Sequence, residues 1–211
     1  MKREIYGESI FNYLLYLPKG YEKRKKYPLM IFLHGAGERG DELSKLKVHS
    51  IPKIFDGDVD YQAIVVCPQC KQNTTWTSQI EKVYEFILFI IEKYNVDKNA
   101  VSITGVSMGG FGVWQTIMDY PELFSAAAPI CGGGMAWRAD VIKELPIRIY
   151  HGEKDELVDA FYSKDLYRAL KRYDAKDVEL FLYPNVGHNV WNQAYEETGI
   201  INWLISKKRD L

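Results

Sequence analysis

The sequence predicts an α/β fold, in which a mostly parallel central sheet carries helices on both faces. Short apolar runs alternate along the chain with longer amphipathic stretches, which is the pattern of repeated β-α-β units. The apolar runs are rich in Val, Ile and Leu and contain few polar residues, as in strands that are buried on both faces. The chain has 211 residues and shows neither an internal repeat nor a linker rich in Pro, Gly or Ser. We therefore expect one domain that spans residues 1–211.

Seven strands are predicted, and the first differs from the rest. The segment 12–17 alternates imperfectly between apolar and polar residues, so we assign it to an antiparallel pair at the N-terminus. The other six are short and apolar throughout, and they are expected to form the parallel part of the sheet. They are Leu29–Leu33, Ala63–Cys67, Val101–Thr104, Ala126–Ile130, Ile147–Tyr150 and Val178–Tyr183.

Four helices are predicted between and after these strands. The clearest is Ser78–Tyr94, in which apolar residues recur every three or four positions while Glu and Lys residues lie on the opposite face. The other three helices are Met108–Asp119, Asp159–Tyr173 and Trp191–Ile205.

The composition is that of an ordinary globular protein and excludes two classes of partner. Hydrophobic residues make up 47% of the chain and charged residues 26%, with a formal net charge of −1. Because the chain has no excess of positive charge, we do not expect it to bind nucleic acid. The longest apolar stretch, Phe86–Ile91, is far too short to cross a bilayer, so no membrane partner is expected either.

The cysteines and the N-terminus favour a cytoplasmic protein. Three cysteines are an odd number, which argues against a disulfide framework. Cys67 and Cys70 have C-x-x-C spacing, but zinc would require a second pair or histidines at ligand spacing, so we interpret them as incidental thiols. The N-terminus lacks the apolar run of a signal peptide. Unless a leader has been removed, we expect a cytoplasmic protein without a metal or cofactor.

The most informative stretch is Gly105-Val106-Ser107-Met108-Gly109, which has the pattern G-x-S-x-G directly after a buried strand and directly before a helix. That context is typical of a nucleophile elbow, a sharp turn that projects the serine hydroxyl over the edge of the sheet. The start of the helix also directs N–H groups at developing negative charge. Ser107 is therefore the candidate nucleophile, and the alternative is a serine that only caps the helix.

A serine hydroxyl needs a base to remove its proton, and histidine is the usual one. Of the four histidines, His34 and His49 lie in loops upstream of Ser107. His151 ends a strand and is followed by glycine, which favours a structural role in the turn. Triads built on this serine motif run in the order Ser, Asp or Glu, His. Only His188, in the loop after the last strand, follows both Ser107 and a plausible acid.

The acid is expected in the loop after the strand Ile147–Tyr150, where four acidic residues lie close together. They are Glu153, Asp155, Glu156 and Asp159. We choose Asp155, which lies in the loop itself. Asp159 is the competitor, although it directly precedes a predicted helix and is well placed to cap the first N–H groups of that helix.

With these motifs the sequence resembles the α/β-hydrolase superfamily. Within it, the chain looks like the small lid-less branch that includes carboxylesterases, acyl-protein thioesterases, dienelactone hydrolases and feruloyl-type esterases. Four motifs carry the resemblance and span most of the chain. They are Leu33-His34-Gly35-Ala36-Gly37-Glu38-Arg39-Gly40, Gly105-Val106-Ser107-Met108-Gly109-Gly110, His151-Gly152-Glu153-Lys154-Asp155-Glu156-Leu157-Val158 and Gly187-His188.

The resemblance implies roles for further residues. Asp155 matches the catalytic aspartate of the branch motif H-G-x-x-D-x-x-V, whereas Asp159 stands where that branch often has proline. The backbone amides of Ala36 and Met108 are implied to form the oxyanion hole that stabilises a tetrahedral intermediate. The alternative is that the glycines beside Ala36 only permit a tight turn. Dienelactone hydrolases use a cysteine nucleophile, so Ser107 argues against that particular activity.

Three tryptophans are candidates for substrate binding. Trp76, Trp137 and Trp191 all fall in loops at the carboxyl edge of the predicted sheet, where ligands bind in open α/β sheets. They either pack against an aryl or sugar group or simply cover the core. The segment between Ser107 and Asp155 has no room for a lid, which favours an open cleft for soluble esters.

Three charged residues follow the loop of residues 34–37, which carries Ala36 and is called the oxyanion loop below. Glu38, Arg39 and Asp41 could bind substrate, but we prefer the interpretation that an ion pair among them braces the loop.

The function predicted from these patterns is that of a serine esterase, with Ser107 as nucleophile, His188 as base and Asp155 as the acid that orients the histidine. Its partner is expected to be a small-molecule ester with a short acyl chain or a compact aryl group. One alternative is a peptidase of the prolyl-oligopeptidase kind, although such enzymes carry a large extra domain. The other is a non-catalytic binding module, against which the intact Ser, Asp and His count.

Overall fold

The computed structural model describes residues 1–209 and contains one eight-stranded sheet. All six predicted parallel strands are present, and the predicted segment 12–17 forms β2, so the predicted fold class is confirmed. The partner of β2 in the antiparallel pair is a short strand at the N-terminus. The strands are β1 (Lys2–Ile5), β2 (Tyr13–Tyr16), β3 (Tyr27–Leu33), β4 (Ile64–Pro68), β5 (Val96–Val106), β6 (Ala126–Ile130), β7 (Ile147–Gly152) and β8 (Val178–Tyr183).

The order of the strands brings the candidate site residues to one edge. The sheet runs β1-β2-β4-β3-β5-β6-β7-β8. The pairs β1–β2 and β2–β4 are antiparallel, and every pair from β4–β3 to β7–β8 is parallel. Parallel strands end at the same edge of a sheet, and ligands bind beyond those carboxyl ends. The segments that follow β3, β5, β7 and β8 carry the four predicted motifs, so all four meet at this edge.

Six α-helices flank the sheet. They are α1 (Ser50–Asp56), α2 (Ile80–Lys93), α3 (Met108–Asp119), α4 (Phe161–Arg172), α5 (Trp191–Glu197) and α6 (Ile200–Ser206). Single-turn or longer 3₁₀ segments lie at Ala36–Glu38, Leu43–Val48, Thr77–Gln79, Pro121–Leu123 and Ala136–Ile142. Within residues 1–209, no helix combines the length and the apolar character that crossing a bilayer would require.

Two details of the helices differ from the prediction. The predicted helix Trp191–Ile205 is two helices, because Gly199 adopts φ 69°, a left-handed conformation that separates α5 from α6. Helix α1 was not predicted from the sequence. It has only seven residues and includes Pro52 in its first turn, where proline is tolerated.

The core has two layers, one on each face of the sheet. Along β3, the side chains of Leu29, Ile31 and Leu33 pack with α2, α3 and α4, whereas Met30 and Phe32 pack with α1, α5 and α6. This alternation follows from the two-residue period of a strand. Burial on both faces explains why the parallel strands are apolar throughout.

Candidate active site

The predicted nucleophile lies in a strained turn between β5 and α3. Ser107 has φ 54° and ψ −118°, a backbone conformation that non-glycine residues rarely adopt and that costs about 1–3 kcal/mol. The N–H of Ser107 donates to the carbonyl of Ile130 at 3.0 Å, and the N–H of Phe111 donates to the carbonyl of Ser107 at 3.1 Å. Strand β6 and the first turn of α3 therefore hold the strained residue from both sides.

Two glycines allow α3 to approach the sheet this closely. A Cβ atom at Gly105 would lie 2.7 Å from the carbonyl oxygens of both Gly109 and Leu33. A Cβ atom at Gly109 would overlap the carbonyl of Leu33 outright. Both glycines of the G-x-S-x-G pattern are therefore required for steric reasons, because the turn packs against β3 too closely for a side chain.

Three of the predicted site residues form one chain of hydrogen bonds. The hydroxyl of Ser107 lies 2.8 Å from Nε2 of His188, and Nδ1 of His188 lies 2.7 Å from Oδ2 of Asp155. An ionised carboxylate only accepts, so Nδ1 carries the proton and Nε2 is the free acceptor for the serine hydroxyl. The side chain of Asp155 is completely buried and that of His188 is 17% exposed, so this series of hydrogen bonds runs from the core to the cleft.

Asp155 is held as an anion by its surroundings. Burial alone would raise the pKa of Asp155, but the amide of Val158, the ring of His188 and the amide of Leu157 donate to the carboxylate and hold its pKa below the ordinary value. Both amides donate to Oδ1 at 2.9 Å, which leaves Oδ2 for His188. An aspartate held in this way can fix the tautomer of a neighbouring imidazole.

The structure separates Asp155 from its competitor. Asp159 is exposed, and its Oδ1 accepts the N–H of Phe161 at 2.7 Å, at the start of α4. It therefore has the capping contact expected from its position before a helix. Of the two aspartates, Asp155 is the one that contacts His188.

The two amides implied to form the oxyanion hole belong to residues that start a helical segment. Ala36 begins the 3₁₀ turn after β3, and Met108 begins α3. The first N–H groups of a helix have no partner within it, so both amides are available to an incoming oxygen. Gly35, Ala36 and Gly37 line the same cleft as Ser107.

Two hydrogen bonds of His34 hold the oxyanion loop against the segment that follows β4. Its Nε2 accepts the backbone N–H of Cys70 at 2.9 Å, and its carbonyl accepts the indole N–H of Trp76 at 2.9 Å. Burial lowers the pKa of His34 to about 4, so this imidazole is neutral and serves as an acceptor. Arg39 adds a bond from Nε to the carbonyl of Ala36 at 2.9 Å.

The expected ion pair among Glu38, Arg39 and Asp41 does not form among residues 1–209. The buried carboxylate of Glu38 instead contacts Nε2 of His49 at 3.1 Å. Burial would raise the pKa of Glu38, but His49 and His34 outweigh it and lower that pKa. Arg39 reaches backbone carbonyls rather than an acid.

His49 is a site residue that the sequence interpretation missed. Its ring lines the cleft, and helix α1, which starts directly after it, brings it there. Ser50 beside it has φ 56°, a strained value for serine. The local sequence does not predict that the His49 ring lies in the cleft, because the contact with Glu38 is made across a loop that has no periodic pattern.

Only one of the three predicted substrate-binding tryptophans reaches the cleft. The ring of Trp191 stacks on His49, with centroids 5.0 Å apart and an interplanar angle of 27°. Trp76 is a correction: it is completely buried against Phe11 and Gly112, so a substrate in the cleft cannot touch it. Trp137 is 74% exposed and is not among the described residues that line the cleft.

The cleft above Ser107 is small and partly apolar, with a volume of about 230 Å³. That is below the roughly 300–1,000 Å³ of pockets that enclose drug-sized ligands. Its lining includes the oxyanion loop together with Leu157, Trp191 and His49.

Cys131 approaches the acid and the base of the site. Donor atoms of Cys131, Asp155 and His188 all lie within 4.8 Å of one another, which is close enough for a thiophilic cation. The thiol is completely buried, and burial raises its pKa far above that of an ordinary cysteine. Because Asp155 and His188 are already bonded to each other, an ion here would have to displace the contact between them.

Comparison with known proteins yields one family. A sequence model described as the dienelactone hydrolase family matches residues 49–202. The matched span contains Ser107, Asp155 and His188 and begins after the oxyanion loop.

Two curated relatives are much longer than the chain. An uncharacterized secreted protein of Arthroderma benhamiae is 28% identical over 157 residues, which cover 67% of this chain and 15% of that protein. A bifunctional acetylxylan esterase/xylanase of Neocallimastix patriciarum is 27% identical over 90 residues, which cover 41% of this chain and 13% of that enzyme. The chain thus spans no more than 15% of the length of these relatives.

Among solved structures, the chain is similar to a thermostable esterase. The two chains share 31% identity with a TM-score of 0.81, and the match covers 99% of this chain and 63% of the other. The similarity in fold therefore extends over the whole sheet and both layers of helices.

Proposed function

We propose that this chain, which belongs to the dienelactone hydrolase family, is a carboxylic ester hydrolase that works through an acyl-enzyme on Ser107. The observation that carries the proposal is the continuous hydrogen-bond chain from Ser107 through His188 to Asp155. The serine is strained, the base is partly exposed and the acid is buried, which is the arrangement that activates a hydroxyl for attack.

Acylation begins when Oγ of Ser107 attacks the ester carbonyl carbon while Nε2 of His188 takes the hydroxyl proton. Asp155 keeps the proton on Nδ1 and stabilises the imidazolium that forms. The carbonyl oxygen becomes negative and accepts hydrogen bonds from the amides of Ala36 and Met108. Loss of one such donor typically costs about 3 kcal/mol of transition-state stabilisation.

The tetrahedral intermediate then collapses, and His188 gives its proton to the leaving alcohol. Water takes the place of the alcohol, and His188 removes a proton from it as it attacks the acyl-enzyme. Collapse of the second intermediate releases the carboxylic acid and returns the proton to Ser107. The cycle uses only groups of this chain and one water.

The substrate class that fits the cleft is a soluble ester with a short acyl chain or a compact aryl group. A volume of about 230 Å³ and the wall formed by Trp191 and Leu157 favour a small, partly apolar group beside Ser107. The described cleft is reached directly from solvent along Leu157, which is 78% exposed.

The test is hydrolysis of p-nitrophenyl acetate by the native protein and by Ser107→Ala, beside a peptide anilide. We expect rapid release of p-nitrophenol by the native protein, none above background by the variant, and no cleavage of the anilide. A serine-directed phosphonate should add to Ser107. Labelling of another residue with Ser107 free contradicts the proposed mechanism, cleavage of the anilide favours a peptidase, and inactivity on every ester favours a binding module.

Two wider properties are also proposals. We infer a single domain, since the eight strands form one sheet and both helical layers pack on it. We infer a reducing compartment such as the cytoplasm, since Cys67, Cys70 and Cys131 are all free and buried thiols. The secreted relative from Arthroderma makes the second inference worth testing by fractionation of the native host.

A further inference from the structure

A second histidine contacts the acid of the proposed triad. His151 lies near the end of β7, and its side chain is completely buried. Its Nε2 lies 3.2 Å from Oδ2 of Asp155 and 2.9 Å from the carbonyl oxygen of Val158. The mechanism described above makes no use of this imidazole.

The neighbours of His151 determine which nitrogen carries the proton. An ionised carboxylate and a carbonyl only accept, so Nε2 must be the donor. Nδ1 lies 2.7 Å from the hydroxyl of Ser163, whose other acceptor, the carbonyl of Gly132, is farther away at 3.4 Å. Burial lowers the pKa of His151, although Val158 and Asp155 oppose that shift, so the ring is neutral at physiological pH. The hydroxyl of Ser163 therefore donates to Nδ1, and Nε2–H donates to the carbonyl of Val158, which leaves Nε2 in contact with Oδ2 of Asp155 at 3.2 Å.

The contact of His151 with Asp155 differs from the hydrogen bonds that Asp155 accepts in the structural element from which it comes. The amides of Leu157 and Val158 belong to the same loop as the carboxylate and move with it. His188 belongs to another loop and, in the proposed mechanism, takes up and releases a proton at Nε2 during each cycle. Of these four residues in contact with the carboxylate, His151 is the one that lies within a strand of the central sheet.

We propose that His151, held by Ser163, is a positioning residue that fixes the rotation of the Asp155 carboxylate so that Oδ2 faces Nδ1 of His188. The proposal rests on the proposed function, because it takes Asp155 as the acid of the triad. His151 is buried and does not line the cleft, so its effect reaches the substrate only through Asp155 and His188.

The first test compares two substitutions of His151 by steady-state kinetics on p-nitrophenyl acetate. His151→Leu removes the donor at similar volume, and we expect kcat to fall by about 10- to 100-fold with KM unchanged, a smaller loss than the roughly 10⁴-fold caused by a misoriented triad histidine. His151→Gln places an amide N–H near the position of Nε2 and should recover most of the activity. A rise in KM as large as the loss of kcat, or no recovery with Gln, would overturn the proposal.

The second test repeats His151→Leu in an Asp155→Ala background, with thermal unfolding measured for every variant. A residue that acts through Asp155 has nothing left to position, so the residual kcat should change less than about twofold. A loss equal to that in the native background would overturn the proposal while leaving the proposed function intact. If Asp155→Ala itself left kcat unchanged, the assignment of the acid would be wrong, and the positioning role would fail with it.

A matched pair of serine substitutions covers the case in which His151→Leu does not fold. Ser163 and Ser125 are both buried serines, but Ser125 bonds to the carbonyl of Val101 at the opposite edge of the sheet. We expect Ser163→Ala to lower kcat by about three- to tenfold at constant KM, because a lost hydrogen bond of about 1 kcal/mol changes a rate by roughly that factor. Ser125→Ala should leave kcat unchanged. Equal kcat values in the two variants would overturn the proposal.

Discussion

The indole of Trp191 meets the imidazole of His188 edge to face, with ring centroids 5.7 Å apart and an interplanar angle of 89°. This contact restricts the rotation of the ring that, in the proposed mechanism, passes a proton from Ser107 to the leaving group. Because the same indole also stacks on His49, it contacts two imidazole rings that line the cleft.

Trp191→Leu should lower kcat/KM by roughly 2- to 10-fold, since an aromatic pair contributes about 0.5–1.5 kcal/mol beyond its buried area. The loss should be greater for aryl esters than for ethyl acetate, because the aryl group loses a stacking surface as well. Trp137→Leu is the matched control and should leave both activities unchanged, since that indole is exposed and lies outside the cleft lining. Equal effects of the two substitutions would remove Trp191 from the site.

Asp155→Asn should lower kcat by up to about 10⁴-fold, the loss expected when a triad histidine adopts the wrong tautomer. Asp159→Asn should keep most of the activity, because asparagine also accepts the N–H of Phe161 and caps α4 well. Both values of kcat are measured on purified protein under identical conditions. Reversed losses would make Asp159 the acid.

Activity should be low in acid and rise towards neutral pH, because histidine acts as a general base only in its unprotonated form. His34, with a pKa of about 4, and His151, with a lowered pKa, stay neutral in this range. The lowered pKa of Asp155 keeps its carboxylate ionised throughout. The rise should persist in His49→Gln, and a flat profile from pH 5 to 9 would exclude histidine from the mechanism.

Acetate to butyrate esters should be hydrolysed with a higher kcat/KM than esters of ten carbons or more. The cleft of about 230 Å³ between Leu157 and the oxyanion loop leaves a long acyl chain in water. A series of p-nitrophenyl esters provides the measurement. Activity that increases with chain length, or that rises at an oil–water interface, is incompatible with this cleft.

Much of the fold could be predicted because its strands are buried on both faces. Six continuous apolar runs match six parallel strands, and the pattern around Ser107 predicted the strand, the turn and helix α3, which begins and ends at the predicted residues. Asp155 and His188 followed from chain order and motif, and the structure brings both to Ser107. Their catalytic roles stay predictions until the variants are measured.

The features that were missed depend on contacts between distant segments. His49 is held at the cleft by a contact with the Glu38 carboxylate and by stacking on the Trp191 indole, which belong to other segments of the chain. A tryptophan in a loop can point into the core or into the cleft, and the sequence around Trp76 does not distinguish the two. The contact between His151 and Asp155 was hidden because the same histidine also fits a simple role in a turn.

The pairing of β7 with β8 makes hydrolysis a measure of how accurately the sheet has assembled. The two strands are in register from Ile147 opposite Val178 to Gly152 opposite Tyr183, and the loops that follow them carry Asp155 and His188. A slip of one residue would displace one loop by about 3.3 Å and turn every side chain of the strand to the other face. The 2.7 Å bond between Asp155 and His188 could not survive that slip, although the content of strand would hardly change. During refolding, the hydrolytic activity that returns therefore reports only molecules in which β7 and β8 pair in the correct register. Circular dichroism would not distinguish these molecules from those in which the register has slipped.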